Sequence, residues 1–130
     1  LAGEIGLKEF ILKHKDGIYQ HLSTQGIKLA ESTRAKILLG RALLKRPNLL
    51  LLDDFTYLLN KKDKKLLLNY LFNERTTYTL IIKTSNEDIM RLCDRIIFMH
   101  EGRILADGSF DEISKTTEYQ QLCDDLADIK

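Results

Sequence analysis

The sequence has little of what marks several classes of protein. Two cysteines in 130 residues are too few for a disulfide scaffold or a thiolate zinc site, so we interpret Cys93 and Cys123 as reduced thiols. The three histidines lack a metal-binding spacing. A net charge of only +1 disfavours nucleic acid as a partner. Even the longest uninterrupted apolar runs, such as Leu49–Leu52, are far too short to span a bilayer.

The composition is otherwise that of a globular chain. Hydrophobic residues make up 44% and charged residues 30% of the sequence, which is enough apolar material for a real core. The first residue is Leu1 rather than methionine, so we expect a piece of a longer chain.

Hydrophobic spacing predicts helices over Glu4–Lys15 and Glu31–Arg46, and Pro47 ends the second. The apolar run Leu49–Leu52 then meets Asp53-Asp54. A short apolar run bounded in this way is typical of a strand buried on both faces, as in a parallel sheet. This order predicts an α/β fold.

Similar signals predict the remaining elements. They are a helix over Lys61–Asn73 capped by Asn60, a strand over Thr76–Lys83, a helix over Asn86–Leu92, a hairpin of Arg95–His100 with Arg103–Asp107, a short helix after Gly108-Ser109 and a last helix over Glu118–Ile129.

The acidic pair Asp53-Asp54 is the sharpest local feature. Open α/β sheets bind ligands at the carboxyl ends of their strands, and a carboxylate there suits a Mg²⁺ ion that also contacts phosphates. Acidic residues are also common in the loops that follow strands, so an ordinary loop role stays open. None of the seven glycines begins the GxxxxGK[ST] pattern of a phosphate loop.

Three runs resemble segments of the ATP-binding cassette (ABC) proteins. Gly40–Phe55 (GRALLKRPNLLLLDDF) is similar to the end of the signature helix and the Walker B strand. Leu92–Ser109 (LCDRIIFMHEGRILADGS) is similar to the family's later strand and hairpin, and Gly6–Ile11 (GLKEFI) to the helical subdomain of exporter-type cassettes. The runs keep the family's order and spacing over roughly residues 4–128.

The resemblance implies the carboxyl-terminal part of a RecA-like P-loop NTPase core, with parallel strands plus a hairpin. Residues 1–46 would be part of the helical subdomain, including the signature helix, and residues 47–130 would be the end of the core with its terminal helices.

The resemblance also implies roles at the strand ends. Asp53 matches the Walker B aspartate that helps hold Mg²⁺, and Asp54 stands where the family has a catalytic glutamate. Aspartate is one methylene shorter, and because a general base must lie within hydrogen-bond reach, we expect impaired hydrolysis. Ser85, or Thr84 in a shifted alignment, replaces the switch histidine, and Asn60 replaces the D-loop aspartate.

The family's LSGGQ signature aligns with Leu29, Ala30, Glu31, Ser32 and Thr33. In the family this segment meets the γ-phosphate bound by a partner cassette, at a helix N-terminus. Ala30 lacks the hydroxyl and Glu31 adds a negative charge, which argues against a phosphate there. An acidic residue in a first helical turn is also favoured by the helix dipole alone.

Four altered positions with a retained scaffold indicate a degenerate, weakly catalytic cassette. The implied cofactors are ATP and Mg²⁺ in the intact domain. The implied partners are a transmembrane domain and a second nucleotide-binding domain, at the cytoplasmic face of the cell membrane. Two alternatives stay open: a non-catalytic interaction module that keeps the fold, and a response-regulator receiver. The receiver is disfavoured because no aspartate ends the next strand, which closes with Lys83-Thr84-Ser85.

Overall fold

The computed structural model describes residues 1–22, 29–74 and 77–121. The chain divides into two compact units, Leu1–Lys83 and Thr84–Lys130. The predicted boundary between residues 46 and 47 concerns family subdomains and stays a prediction. The first unit contains α1 (Lys8–Lys13), α2 (Glu31–Leu44), β1 (Leu49–Asp53), α3 (Lys61–Leu71) and β2 (Thr79–Lys83), with 3₁₀ turns at Gly17–Tyr19 and Thr56–Leu58.

The two strands of the first unit form a parallel pair. The register places Leu49 beside Thr79 and Asp53 beside Lys83, so both strands end at the same edge. Parallel neighbours need a crossover connection, and α3 lies in the crossover between β1 and β2. The predicted α/β class and parallel sheet are confirmed. Of the predicted strand Thr76–Lys83, residue 76 lies outside the described residues.

Only one face of this sheet is covered by the described residues. Leu50 is 4% exposed, whereas Leu49 is 51%, Leu51 is 66% and Ile81 is 56% exposed. Successive side chains of a strand point to opposite faces, and the exposed residues alternate with the buried one. The prediction of a strand buried on both faces is therefore wrong for the described residues. An apolar run does not reveal whether both of its faces have a partner.

The covered face packs onto helices from both sides of β1 in the sequence. Leu50 lies in one cluster with residues of α2, of α3 and of the turn before α1. Leu67 is completely buried, and full burial of such a side chain contributes about 1.5–3 kcal/mol. The cluster consists of Ile5, Leu7, Leu39, Leu43, Leu50, Leu67 and Leu71.

The first helix is shorter than the predicted Glu4–Lys15. It begins at Lys8, because Gly6 adopts a φ of +72° that interrupts helical geometry. A side chain at this position would also be obstructed, since a Cβ would lie 2.8 Å from Asp63 Oδ1. Gly6 thus lets the backbone pass close to α3, where its carbonyl meets a lysine described below.

The second helix ends two residues before its predicted end at Arg46. It stops at Leu44, and Arg46 has a φ of 50°. The residue before a proline is disfavoured in the helical region, so Pro47 accounts for the early end. The predicted helix is otherwise confirmed.

The second unit contains α4 (Glu87–Met90), β3 (Ile96–His100), β4 (Arg103–Gly108) and α5 (Phe110–Ile113). The two strands are antiparallel, which confirms the predicted hairpin. Glu101 and Gly102 both have positive φ, the combination found in tight type I′ hairpin turns.

The hairpin of the second unit is held at its open end and followed by a capped helix. Arg95 donates to both oxygens of Asp107 at 2.7 and 2.6 Å. Ser109 and Glu112 form a reciprocal capping box at the start of α5, as the Gly108-Ser109 signal predicted. Residues 117–121 are helical, and the rest of the predicted Glu118–Ile129 helix lies outside the described residues.

No helix within residues 1–22, 29–74 and 77–121 is long and apolar enough to cross a membrane.

Candidate functional site

The predicted acidic pair lies at the carboxyl edge of the parallel sheet. Asp53 is the last residue of β1, and its side chain is 77% exposed. Lys83 Nζ lies 3.2 and 3.4 Å from the two carboxylate oxygens of Asp53. The predicted metal ligand thus has an ammonium group as its immediate neighbour.

Asp54 is held by the backbone on both sides. Its N–H donates to the carbonyl of Lys83 at 3.0 Å, which continues the strand pairing by one residue. Its Oδ1 accepts from the N–H of Thr56 at 2.8 Å, the pattern of an Asx turn. This bond directs one carboxylate oxygen into the loop that follows.

Thr56 is itself a feature that the sequence did not indicate. It is 3% exposed, and its hydroxyl has no hydrogen-bond partner among the described residues. A buried hydroxyl without a partner costs about 1–3 kcal/mol. The loop directly after the acidic pair therefore carries an unfavourable polar burial.

Asn60 caps α3, as predicted. Its Oδ1 accepts from the N–H of Asp63 at 2.9 Å, and its Nδ2 lies 3.2 Å from Asp63 Oδ2. The same Asp63 oxygen accepts from Lys36 Nζ at 2.8 Å. Lys36 also donates to the Gly6 carbonyl at 3.0 Å. One lysine thus joins α2 to the start of α3 and to the turn before α1.

Four of the five signature-aligned positions, Ala30 to Thr33, lie at the start of α2. Ala30 is the N-cap residue, and its side chain makes no capping hydrogen bond. Its carbonyl accepts from the N–H groups of Thr33 and Arg34 at 2.9 and 3.0 Å. Glu31 is exposed in the first turn, while Ser32 and Thr33 are half-buried. An acidic first turn suits the helix dipole and places negative charge where the resemblance implies a phosphate.

Ser85 belongs to the second unit and is exposed. The alternative position, Thr84, accepts from the N–H of Asn86 at 3.0 Å through its hydroxyl. Asn86 in turn caps α4 by accepting from the N–H of Asp88. The catalytic role that the resemblance implies for Ser85 stays a prediction.

The fit of this edge to a Mg²⁺ ion depends on the ligands that its residues offer. Mg²⁺ prefers carboxylates and water in octahedral geometry, completed by substrate phosphates. Within the described residues, no group of three or more His, Cys, Asp or Glu is placed to hold a metal ion. Asp53 faces the Lys83 ammonium instead. At this edge, Asp53 is therefore a single carboxylate of the kind that Mg²⁺ shares with waters and substrate phosphates, and the Lys83 ammonium lies against it.

The chain matches no protein-family model, but it is similar to curated ABC proteins over most of its length. It is 32% identical over 108 residues, which are 81% of this chain, to ABC transporter B family member 13 of Arabidopsis thaliana. It is 29% identical over 119 residues, or 91% of this chain, to a putative export ATP-binding/permease protein of Rickettsia conorii. The chain is a homologue of ABC exporter proteins.

A third relative of the chain is a β-(1→2)glucan export ATP-binding/permease protein of Rhizobium johnstonii, 32% identical over 109 residues. The chain spans only 8%, 21% and 18% of the lengths of these three relatives. It therefore corresponds to a limited segment of each one.

The fold comparison agrees. A structure of a bacterial Atm1-family ABC exporter with ATP bound matches with a TM-score of 0.85 at 21% identity, covering 97% of this chain and 22% of that chain. This match confirms the predicted fold class of the chain.

Sequence reasoning missed Lys83, although a usable signal was present. Parallel strands end at the same edge of a sheet. One predicted strand ended at Lys83, and the acidic pair directly followed the other predicted strand. Lys36 gave no such signal, because a lysine on an amphipathic helix is usually solvated.

Proposed function

We propose that the chain is part of the ATP-binding domain of an ABC transporter, a domain that couples nucleotide binding and hydrolysis to transport across a membrane. The observation that carries the proposal is the acidic pair Asp53-Asp54 at the carboxyl edge of a parallel sheet, in a chain homologous to ABC exporter proteins. ATP enters the proposal because relatives are named ATP-binding/permease proteins.

The proposal includes the remaining partners and the location. A transmembrane domain and a second nucleotide-binding domain would complete the transporter, with this chain at the cytoplasmic face of the cell membrane. The printed names of the relatives combine ATP-binding and permease parts. With a net charge of +1, we propose no nucleic-acid partner.

We further propose that the cassette is weakly catalytic. Asp54 has one oxygen engaged by the Thr56 N–H, and its side chain is shorter than the glutamate of the resemblance. Ala30 offers no side-chain donor at the start of α2, and Glu31 stands in the first turn. The features of Asp54 oppose water activation beside this chain's own acidic pair, and those of Ala30 and Glu31 oppose contact with a phosphate bound by a partner cassette.

ATP binding and turnover test the proposal. We expect the isolated chain neither to bind ATP tightly nor to hydrolyse it, so a dissociation constant in the micromolar range would contradict this expectation. In the protein that carries the chain, Asp53→Ala should weaken Mg-ATP binding. Glu118→Ala is the matched control, since it removes one exposed carboxylate from the second unit. Equal ATP affinities in the two variants would remove Asp53 from the site.

A non-catalytic interaction module is the second candidate, favoured by the same altered positions. ATP titration of the whole protein, alone and with its partner domain, separates the two. Absence of binding at millimolar ATP favours the module, whereas turnover by the protein alone excludes it.

A further inference from the structure

The register of the parallel sheet determines the neighbour of Asp53. Asp53 and Lys83 are paired across β1 and β2, and directly paired residues project to the same face of a sheet. Their side chains are 77% and 85% exposed, so packing against other residues does not hold the two groups together. The strand pairing itself brings the ammonium within reach of the carboxylate.

Lys83 contacts both oxygens of the Asp53 carboxylate. Its Nζ lies within 3.4 Å of both oxygens of Asp53. An ammonium in this position occupies acceptor positions on both oxygens and offsets part of their negative charge. A divalent cation would need the same oxygens and would be repelled by the ammonium at close range.

We propose that Lys83 is the internal counter-ion of Asp53 and competes with divalent cations for its carboxylate. The inference rests on the proposed function only in treating Asp53 as the carboxylate that a nucleotide's metal would approach. Exposed ion pairs are weak and are screened by salt. Lys83 therefore lowers the metal affinity of this edge without abolishing it.

The test uses Mn²⁺ alone, without nucleotide, on the purified ¹⁵N-labelled chain. Paramagnetic broadening of the amide signals of Asp53 and Asp54 reports binding at this edge. In Lys83→Met, which keeps the aliphatic stem and loses the charge, we expect the apparent Mn²⁺ affinity to rise about three- to tenfold at low salt. Lys65→Met removes the same charge from an exposed position on α3 and should leave the affinity unchanged.

Two further variants assign the effect to the pair. Lys83→Arg keeps the charge and should keep the low affinity, and Lys83→Met combined with Asp53→Asn should lose the gain. Lys83→Gln provides a second neutral variant should the methionine variant fail to fold. Equal Mn²⁺ affinity in the wild type and in a folded neutral variant would overturn the proposal, as would a gain that persists without the Asp53 charge.

The outcome is independent of ATP binding. If the whole protein that carries the chain bound no ATP, the proposed function would be refuted and the metal-only result would still stand. Conversely, unchanged Mn²⁺ affinity in the neutral variants refutes the counter-ion and leaves ATP binding to be judged by its own titration.

Discussion

Replacing Asp63 with alanine tests the least sequence-evident feature of the first unit, its buried ion pair. The side chains of Lys36 and Asp63 are 8% and 19% exposed, with Nζ and Oδ2 2.8 Å apart. After the substitution, the ammonium keeps its contact with the Gly6 carbonyl at 3.0 Å but loses its counter-charge. An uncompensated buried charge costs about 3–5 kcal/mol, and we expect the free energy of unfolding to fall by that amount.

Lys36→Met provides the informative contrast. It removes the more deeply buried of the two charges, and the remaining Asp63 carboxylate is 19% exposed and keeps its hydrogen bond from Asn60 Nδ2. We expect a loss of about 1–2 kcal/mol, the scale of a hydrogen bond to a charged group. In the double variant Lys36→Met/Asp63→Ala, no charge is left stranded, so it should be more stable than Asp63→Ala alone.

Urea unfolding followed by circular dichroism at pH 7 and 25 °C measures these differences. The control is Lys62→Ala, because Lys62 forms an exposed pair with Glu9 at 3.5 Å and should change stability by less than about 0.5 kcal/mol. The reasoning is refuted if Asp63→Ala is no more destabilising than Lys36→Met.

Three shorter predictions concern other parts of the molecule. Leu67→Ala should cost about 2–5 kcal/mol of unfolding free energy, and Leu66→Ala, at a position 36% exposed, clearly less; equal losses would contradict the core assignment. Thr56→Val should be neutral or stabilising in the same urea assay, because it removes a hydroxyl that has no partner among the described residues; a loss above about 1 kcal/mol would reveal a partner. Hydrogen bonding to Arg95 holds the pKa of Asp107 below its usual value, so its contribution to stability is present above the unfolded pKa and lost as the pH falls through the folded one. In Arg95→Met, carboxyl ¹³C titration should show the Asp107 pKa rising toward 3.8, and an unmoved pKa would exclude Arg95 as the cause.

Local signals in the sequence were sufficient for much of the fold. The Asn60 cap, the tight turn at Glu101-Gly102 and the capping of α5 each depend on residues a few positions apart. Interactions of this range can be predicted from spacing. The resemblance added the assignment of these elements to the end of a RecA-like core.

The features that sequence reasoning missed depend on contacts between distant segments. Lys36 and Asp63 are 27 positions apart, and Lys83 and Asp53 are 30 apart. The Lys36–Asp63 pair forms because both side chains lie on buried parts of their helices. The Lys83–Asp53 pair follows from the register between two strands. Gly6 similarly interrupts the first predicted helix where the chain passes close to α3.

The face of the parallel sheet that the described residues leave uncovered has a consequence for handling the protein. Leu49, Leu51 and Ile81 lie side by side and more than half exposed, and the described part of this sheet has only two strands. Unpaired edges beside an apolar surface are a template for strand addition from other molecules. The solubility of concentrated samples therefore depends on preventing contact between these apolar faces of neighbouring molecules. Leu51→Lys should raise the saturation concentration and leave the Leu50 side of the sheet intact.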